Sequence, residues 1–119
     1  KLPEATKLLK QIPWLKKIDD SKLEGIAKLM DVKIFPPKYD FDNELRTNNI
    51  GIIVRGTGEI VSSKESSDLD KGFIISKINK NFTDDSQIIS KSPLTTVWIA
   101  ENNIKQFEKF APNFKSEIK

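Results

Sequence analysis

The sequence predicts a mainly β domain with helices at both ends, whose β part is expected to be a β-barrel or jelly roll. Apolar residues recur at helical spacing over the first thirty residues, and several short β-branched and aromatic runs follow. A last run at helical spacing begins after residue 100. The predicted division is residues 1–30 for the N-terminal helices, 31–100 for the barrel and 101–119 for the C-terminal helix.

The first helical run has one apolar side, and Pro13 is expected to break or kink it because proline lacks the backbone N–H that a helix interior needs. The residues on that side are Leu8, Leu9, Ile12, Leu15 and Ile18.

The second helix is predicted from a capping box, in which Ser21 caps the helix and Glu24 reaches back to the first turn. Its apolar stripe has the spacing i, i+3, i+4 and i+7 and consists of Leu23, Ile26, Ala27 and Met30.

The predicted strands are short and are separated by glycine, proline and polar segments. Gly56-Thr57-Gly58 is expected to form a tight turn or bulge between two of them, and Lys64–Gly72 is expected to be an exposed loop. The predicted strands are Val32–Phe35, Ile50–Arg55, Glu59–Ser63, Phe73–Ile78 and Leu94–Ala100.

The C-terminal helix is predicted to begin at Asn102 or Asn103, since asparagine is a favoured N-cap. Ile104, Phe107 and Phe110 supply its apolar side, with Phe114 as a further candidate, and proline at position 112 is expected to end or bend it.

The composition argues against an enzyme. The 119 residues are 37% hydrophobic and 31% charged, which suits one domain, and they contain no cysteine and no histidine. The commonest general base, the usual zinc ligands and both serine–histidine and cysteine–histidine mechanisms are therefore missing. No apolar run is long enough to span a bilayer. Because the chain starts at Lys1 rather than methionine, we expect it to be a segment of a longer protein.

The net charge of +3 comes almost wholly from lysine, because Arg46 and Arg55 are the only arginines. The N-terminal lysines are spaced as on a solvated helix face. A nucleic-acid surface is the alternative, but it would bring more arginine and exposed aromatic residues, so no nucleic acid is expected as a partner.

The segment Phe82–Val97, FTDDSQIISKSPLTTV, resembles the phosphate-binding cassette of cyclic-nucleotide-binding domains, which reads F-G-E, a short helix and then P-R-x-A-T-V. Other stretches resemble the same family in order: residues 8–15 its opening L-L-x-x-I-P-x-F, residues 34–39 its F-x-P-G-E turn with Lys38 at the glycine, and residues 50–56 the strand that follows. The resemblance implies an eight-stranded jelly roll and a regulatory role.

The cassette departs from the family where the ligand would bind. Pro93 stands at the position of the arginine that grips the phosphate, Thr83 at the glycine and Asp84 at the glutamate. Lys91 is either a substitute cation or a solvated loop lysine. The ligand-contact positions that the resemblance implies are Phe82, Thr83, Asp84, Lys91, Pro93, Thr95 and Thr96.

Two functions follow from the resemblance. One is a non-enzymatic regulatory domain with little or no affinity for cAMP or cGMP, and the other is a sensor that binds a cyclic nucleotide through a rewired phosphate site. Neither a metal nor any other cofactor besides cAMP or cGMP is expected.

The I-P-W-L and G-I-I-V-R-G stretches also look similar to the cytoplasmic domain of sperm-type sodium/proton exchangers. This similarity implies a parent membrane transporter or channel, a location on the cytoplasmic side, and as partners the rest of that chain or a second copy in a homodimer.

Overall fold

Antiparallel strand pairing organises most of the molecule in the computed structural model, which describes residues 2–78 and 85–118. The helices are α1 (Leu2–Leu9), α2 (Asp20–Ala27), α3 (Asp42–Leu45), α4 (Ile104–Phe110) and α5 (Phe114–Glu117), and two 3₁₀ helices span Pro13–Leu15 and Glu101–Asn103. The strands are β1 (Met30–Phe35), β2 (Ile50–Arg55), β3 (Gly58–Val61), β4 (Ser66–Leu69), β5 (Ile74–Ile75), β6 (Gln87–Ser90) and β7 (Leu94–Ile99).

The strands form two antiparallel sheets, which we call the large sheet and the small sheet. The large sheet has the order β1-β7-β2-β5 and the small sheet has the order β4-β3-β6. The predicted mainly β fold with flanking helices is confirmed.

Strand β7 separates two apolar cores because its side chains alternate between the two faces of the large sheet. Val97 and Ile99 belong to the core beneath the helices, whereas Leu94 and Trp98 belong to the core between the two sheets. Most of β7 is buried because a core packs on each of its faces and β1 and β2 pair with its two edges.

The N-terminal and C-terminal helices cover the large sheet together. Their buried side chains share one core with the sheet and are Leu9, Ile12, Leu15, Leu23, Ile26, Phe107 and Phe114. The predicted interruption at Pro13 is confirmed, since α1 ends at Leu9 and Pro13 opens a 3₁₀ helix.

The predicted capping box of the second helix is wrong. The N-cap is Asp19, which makes no side-chain capping bond, and Ser21 already lies inside the helix. Asp19 takes this place because its carbonyl accepts the first helical bonds, from the N–H groups of Lys22 and Leu23. Met30 starts β1 instead of closing the helical stripe, so the helical part ends before residue 30.

Several other boundaries differ from the prediction. The polar segment predicted as an exposed loop contains β4, because β3 supplies a pairing partner for it along its whole length. The strand predicted for Phe73–Ile78 is only the two residues of β5. The C-terminal part is not one helix over 101–119 but a 3₁₀ helix followed by α4 and α5, with Pro112 between the last two.

Candidate ligand-binding groove

A groove of about 430 Å³ lies along the small sheet and reaches the residues that follow the predicted cassette start. Its walls come from β3, β4, the turn between them, and the residues just before β5 and β6. The lining residues are Ile60, Ser62, Glu65, Ser67, Asp68, Leu69, Phe73 and Ser86.

The groove combines an apolar floor with a polar rim. Leu69 is buried and packs in the core between the sheets, with Ile60 and Phe73 packed against it. The rim is the β3–β4 turn, in which the backbone N–H of Ser62 donates to the carbonyl of Glu65 over 2.9 Å. Such a surface can hold a flat apolar group on the floor and hydroxyl groups at the rim.

The same rim is tied to the chain that enters β6. The hydroxyl of Ser63 donates to a carboxylate oxygen of Asp85 over 3.1 Å. Asp85 is therefore placed beside the turn, and it adds a third carboxylate to a region that already carries Glu65 and Asp68.

Lys91 lies in the turn after β6 and is paired with a groove residue. Its ammonium lies 2.8 Å from a carboxylate oxygen of Asp68, one of the groove residues. The hydrogen bond to Asp68, with the attraction of its charge, raises the pKa of Lys91 above its usual value. Of the described residues that line the groove, none is an arginine or a lysine.

Three of the seven predicted contact residues, Phe82, Thr83 and Asp84, lie outside the described residues. Lys91 is not among the lining residues but is paired with one of them, Asp68, and its contact with a ligand stays a prediction.

Pro93, Thr95 and Thr96 do not line this groove. Pro93 is exposed in the β6–β7 turn, and Thr95 is half-buried on β7. Thr96 is completely buried; its hydroxyl donates to the Lys33 carbonyl over 2.8 Å and accepts from the Trp98 indole N–H over 2.7 Å.

The middle of the predicted cassette is a strand where the family has a short helix. Gln87–Ser90 form β6, which pairs with β3 along its whole length. The turn after it rests on the β2–β3 turn, because the Lys91 and Ser92 N–H groups both donate to the Thr57 carbonyl. The segment thus matches the family motif in length without forming its helix over these residues.

Sequence reasoning missed the groove residues on β4 and its turn. Ser67 and Asp68 stand in a run of polar residues that looks like a solvated loop, and only the pairing partner β3 makes it a strand. Leu69, the one large apolar residue of that run, was the single available signal.

A second groove, of about 860 Å³, collects several of the lysines. It lies between the N-terminal helices and the β2–β3 turn, and its lining includes Lys10, Lys16 and Lys71. Lys10 is paired with Asp20 at 2.8 Å. The more cationic of these two grooves is therefore the one at the β2–β3 turn, not the one along the small sheet.

Two negative observations apply to residues 2–78 and 85–118. They contain no group of three or more acidic side chains that could hold a metal ion. They also contain no helix with the length and hydropathy needed to cross a membrane.

Lys38 adopts a left-handed backbone conformation, with φ of 67°, at the position where the F-x-P-G-E turn has glycine. Glycine reaches this conformation without the steric cost that a side chain adds. At this turn a lysine therefore adopts a conformation that glycine adopts more easily.

No protein-family model matches the chain, and no curated protein matches it. Among solved structures, cAMP-bound PfPKA-R superimposes with a TM-score of 0.75 at 14% identity, over 98% of this chain and 42% of that one. The regulatory domain of Toxoplasma gondii PKA with cAMP gives a TM-score of 0.72 at 12% identity, over 98% of this chain and 48% of that one.

A third structure is the regulatory subunit of a cAMP-independent protein kinase A from Trypanosoma cruzi bound to guanosine, with a TM-score of 0.70 at 13% identity. The match covers 97% of this chain and 44% of that one. The chain thus spans less than half of each of these three solved chains. It shares its fold with the nucleotide-binding regulatory domains of protein kinase A.

Proposed function

We propose that this chain is a non-enzymatic regulatory domain that does not bind cAMP or cGMP with useful affinity. The observation that carries the proposal is the charge of the groove. Its described lining includes two acidic residues, Glu65 and Asp68, and Lys91 is already paired with Asp68.

A cyclic nucleotide brings one phosphate charge into such a groove. Arginine pairs with phosphate oxygens through a planar fork, and Pro93 offers no donor at all. A hydrogen bond to a charged group contributes about 1.5–3 kcal/mol, so losing it weakens binding by roughly one to two orders of magnitude. The carboxylates at the rim oppose the phosphate further.

A domain of this kind acts through its packing. A ligand shifts a conformational equilibrium only by its differential affinity for the two states, and a ligand that does not bind shifts nothing. The C-terminal helices are packed on the N-terminal helices through Phe107 and Phe114. The domain then serves as a fixed contact platform for its parent protein.

The parent that we propose is a membrane ion transporter of the sodium/proton exchanger type, or a channel, with this domain on its cytoplasmic side. The similarity of I-P-W-L and G-I-I-V-R-G to exchanger domains supports this parent. A kinase regulatory subunit is the alternative parent, supported by the shared fold.

Titration of the domain with cAMP and cGMP, followed by amide chemical shifts, tests the absence of binding. We expect no saturating shifts up to about 1 mM ligand, the range of the weakest specific complexes. Saturating shifts centred on β3, β4 and β6 below that concentration would instead establish the cyclic-nucleotide sensor with a rewired phosphate site.

A charge variant tests whether the negative charge of the groove is the reason that cyclic nucleotides do not bind. Asp68→Ser removes a groove carboxylate and releases Lys91, so we expect it to gain measurable affinity for cAMP. Asp20→Ser is the matched control, because it also removes a carboxylate and releases a lysine, Lys10, but lies on α2. Equal behaviour of the two variants would contradict the electrostatic explanation.

The second candidate function is a sensor of an uncharged nucleoside. The apolar floor of Ile60, Leu69 and Phe73 suits a base, and the rim carboxylates can accept from ribose hydroxyls without opposing a phosphate. The guanosine bound to the Trypanosoma cruzi regulatory subunit supports this candidate. Guanosine added to the same titration distinguishes the two functions, since saturating shifts along β3 and β4 with guanosine alone establish the sensor.

A further inference from the structure

Within residues 2–78 and 85–118, strand β1 forms one edge of the large sheet, and its one strand partner there is β7. Two of its apolar side chains point to solvent, with Val32 49% exposed and Ile34 73% exposed. An edge that combines exposed apolar residues with unpaired backbone groups is a template for another strand.

The outward-facing backbone groups of β1 belong to its even-numbered residues. The carbonyl of Lys33 accepts from the hydroxyl of Thr96 on β7, so it faces into the sheet. Backbone groups alternate in direction along a strand, and those of Val32 and Ile34 therefore face away from β7.

The sequence of β1 is complementary to itself in antiparallel register. If two copies pair about Val32, Met30 lies opposite Ile34 and Asp31 lies opposite Lys33, each twice. The pairs that exchange backbone hydrogen bonds are then those of the even-numbered residues, which are the ones that face outward.

The neighbouring registers are worse. A pairing centred on Lys33 sets two lysines against each other, and a pairing centred on Asp31 sets two aspartates against each other. Like charges directly opposite each other across two strands are unfavourable.

We propose that β1 pairs with β1 of a second copy of this chain about a two-fold axis at Val32. The two large sheets become one continuous sheet. Val32 and Ile34 of both copies form an apolar strip on one face, and two Asp31–Lys33 pairs lie on the other. The interface is isologous, because each copy contributes the same strand.

Sedimentation equilibrium from about 10 µM to about 1 mM protein measures the association, since this range covers weak specific interfaces. The wild type is expected to show a monomer–dimer equilibrium. Lys33→Asp places only aspartates at the charged positions and Asp31→Lys places only lysines there, so each alone is expected to raise the dissociation constant about tenfold.

Two further samples separate the proposal from misfolding of a variant. An equimolar mixture of Lys33→Asp and Asp31→Lys is expected to form heterodimers, and the double variant Asp31→Lys with Lys33→Asp is expected to dimerise like the wild type. Hydrogen exchange at the Val32 and Ile34 amides should slow in proportion to the dimer.

A wild type that sediments as a monomer over the whole range would overturn the proposal. The proposal would also be overturned if every charge variant still dimerised and the Val32 and Ile34 amides exchanged freely in the dimer. The interface would then lie elsewhere. Failure of the two single variants to associate when mixed would overturn the register.

Discussion

The hydroxyl of Thr96 on β7 makes two hydrogen bonds inside the barrel. It donates to the Lys33 carbonyl on β1 and accepts from the indole N–H of Trp98. Thr96→Val keeps the shape of the side chain but leaves the Trp98 N–H without its acceptor. We expect this variant to lower the free energy of unfolding by about 1–3 kcal/mol, measured by denaturant unfolding. Thr96→Ser keeps the hydroxyl and should lose less; an equal loss in both variants would assign the effect to packing.

Tyr39 titrates at unusually high pH because its hydroxyl donates to Glu44 over 2.6 Å. That hydrogen bond, followed by burial and the charge of Glu44, raises the pKa of Tyr39 from 10.0 to about 12. Between these two values the unfolded chain binds fewer protons than the folded one, so this residue makes the fold less stable as the pH rises.

Tyr39 is the only tyrosine, so the ultraviolet absorbance of tyrosinate reports its titration alone. Glu44→Gln removes the charge, and we expect the pKa of Tyr39 to fall back toward 10. Asp42→Asn on the same helix is the control and should leave the titration unchanged. A high pKa that persists in Glu44→Gln would refute the assigned cause.

At the level of elements, the turn at Gly56 cannot accept a side chain. Its φ is +94°, and a Cβ there would lie 2.2 Å from the Pro93 carbonyl oxygen. Gly56→Ala is expected to cost more than the roughly 1–2 kcal/mol of a left-handed alanine. At Gly58 the nearest atom to an added Cβ is 3.3 Å away, so Gly58→Ala should cost much less in the same unfolding experiment.

The opposite result is expected at the left-handed Lys38. Lys38→Gly removes a steric cost of about 1–2 kcal/mol and adds an entropic cost of about 0.5–1 kcal/mol, for a net gain of roughly 0–1.5 kcal/mol, centred on about 0.75 kcal/mol. Lys38→Ala keeps the Cβ and should be neutral. The melting temperatures of the two variants should therefore separate, and identical values would argue against strain in this turn.

Elements with a strong local pattern were predictable, and those that depend on a distant partner were not. The boundaries of β2 are those predicted, because its apolar residues and the following glycine turn are both local signals. Strand β4 and strand β6 were missed, since the polar residues of β4 and the short Gln-Ile-Ile-Ser run of β6 become strands by pairing with β3. The groove built on β3 and β4 was missed for the same reason.

Of the predicted site residues, Lys91 shows both the value and the limit of sequence reasoning. Its place in the predicted cassette follows from the sequence, but its partner Asp68 is 23 positions earlier and depends on the sheet. Thr96 matched a family motif by spacing alone, and the structure uses its side chain inside the core.

At the scale of the whole molecule, aromatic contacts join the two ends of the chain. Phe107 of α4 contacts Trp14 of the N-terminal part and Phe114 of α5, with ring centroids 6.4 and 5.2 Å apart. Phe107→Ala is expected to cost about 3–5 kcal/mol, because it leaves a cavity in the core beneath the helices. Lys109→Ala on the exposed side of α4 is the control for helix content, and a comparable loss there would contradict this explanation.

The two tryptophans lie in different halves of the molecule, and each half therefore has its own optical reporter. Trp14 sits where the helices meet the sheet and donates to the Gly72 carbonyl over 2.8 Å, whereas Trp98 is buried between the sheets. In Trp98→Phe the remaining fluorescence follows the docking of the terminal helices, and in Trp14→Phe it follows the barrel. Movement of the helices on an intact barrel would change only the first signal, so fluorescence alone would detect it before any ligand is known.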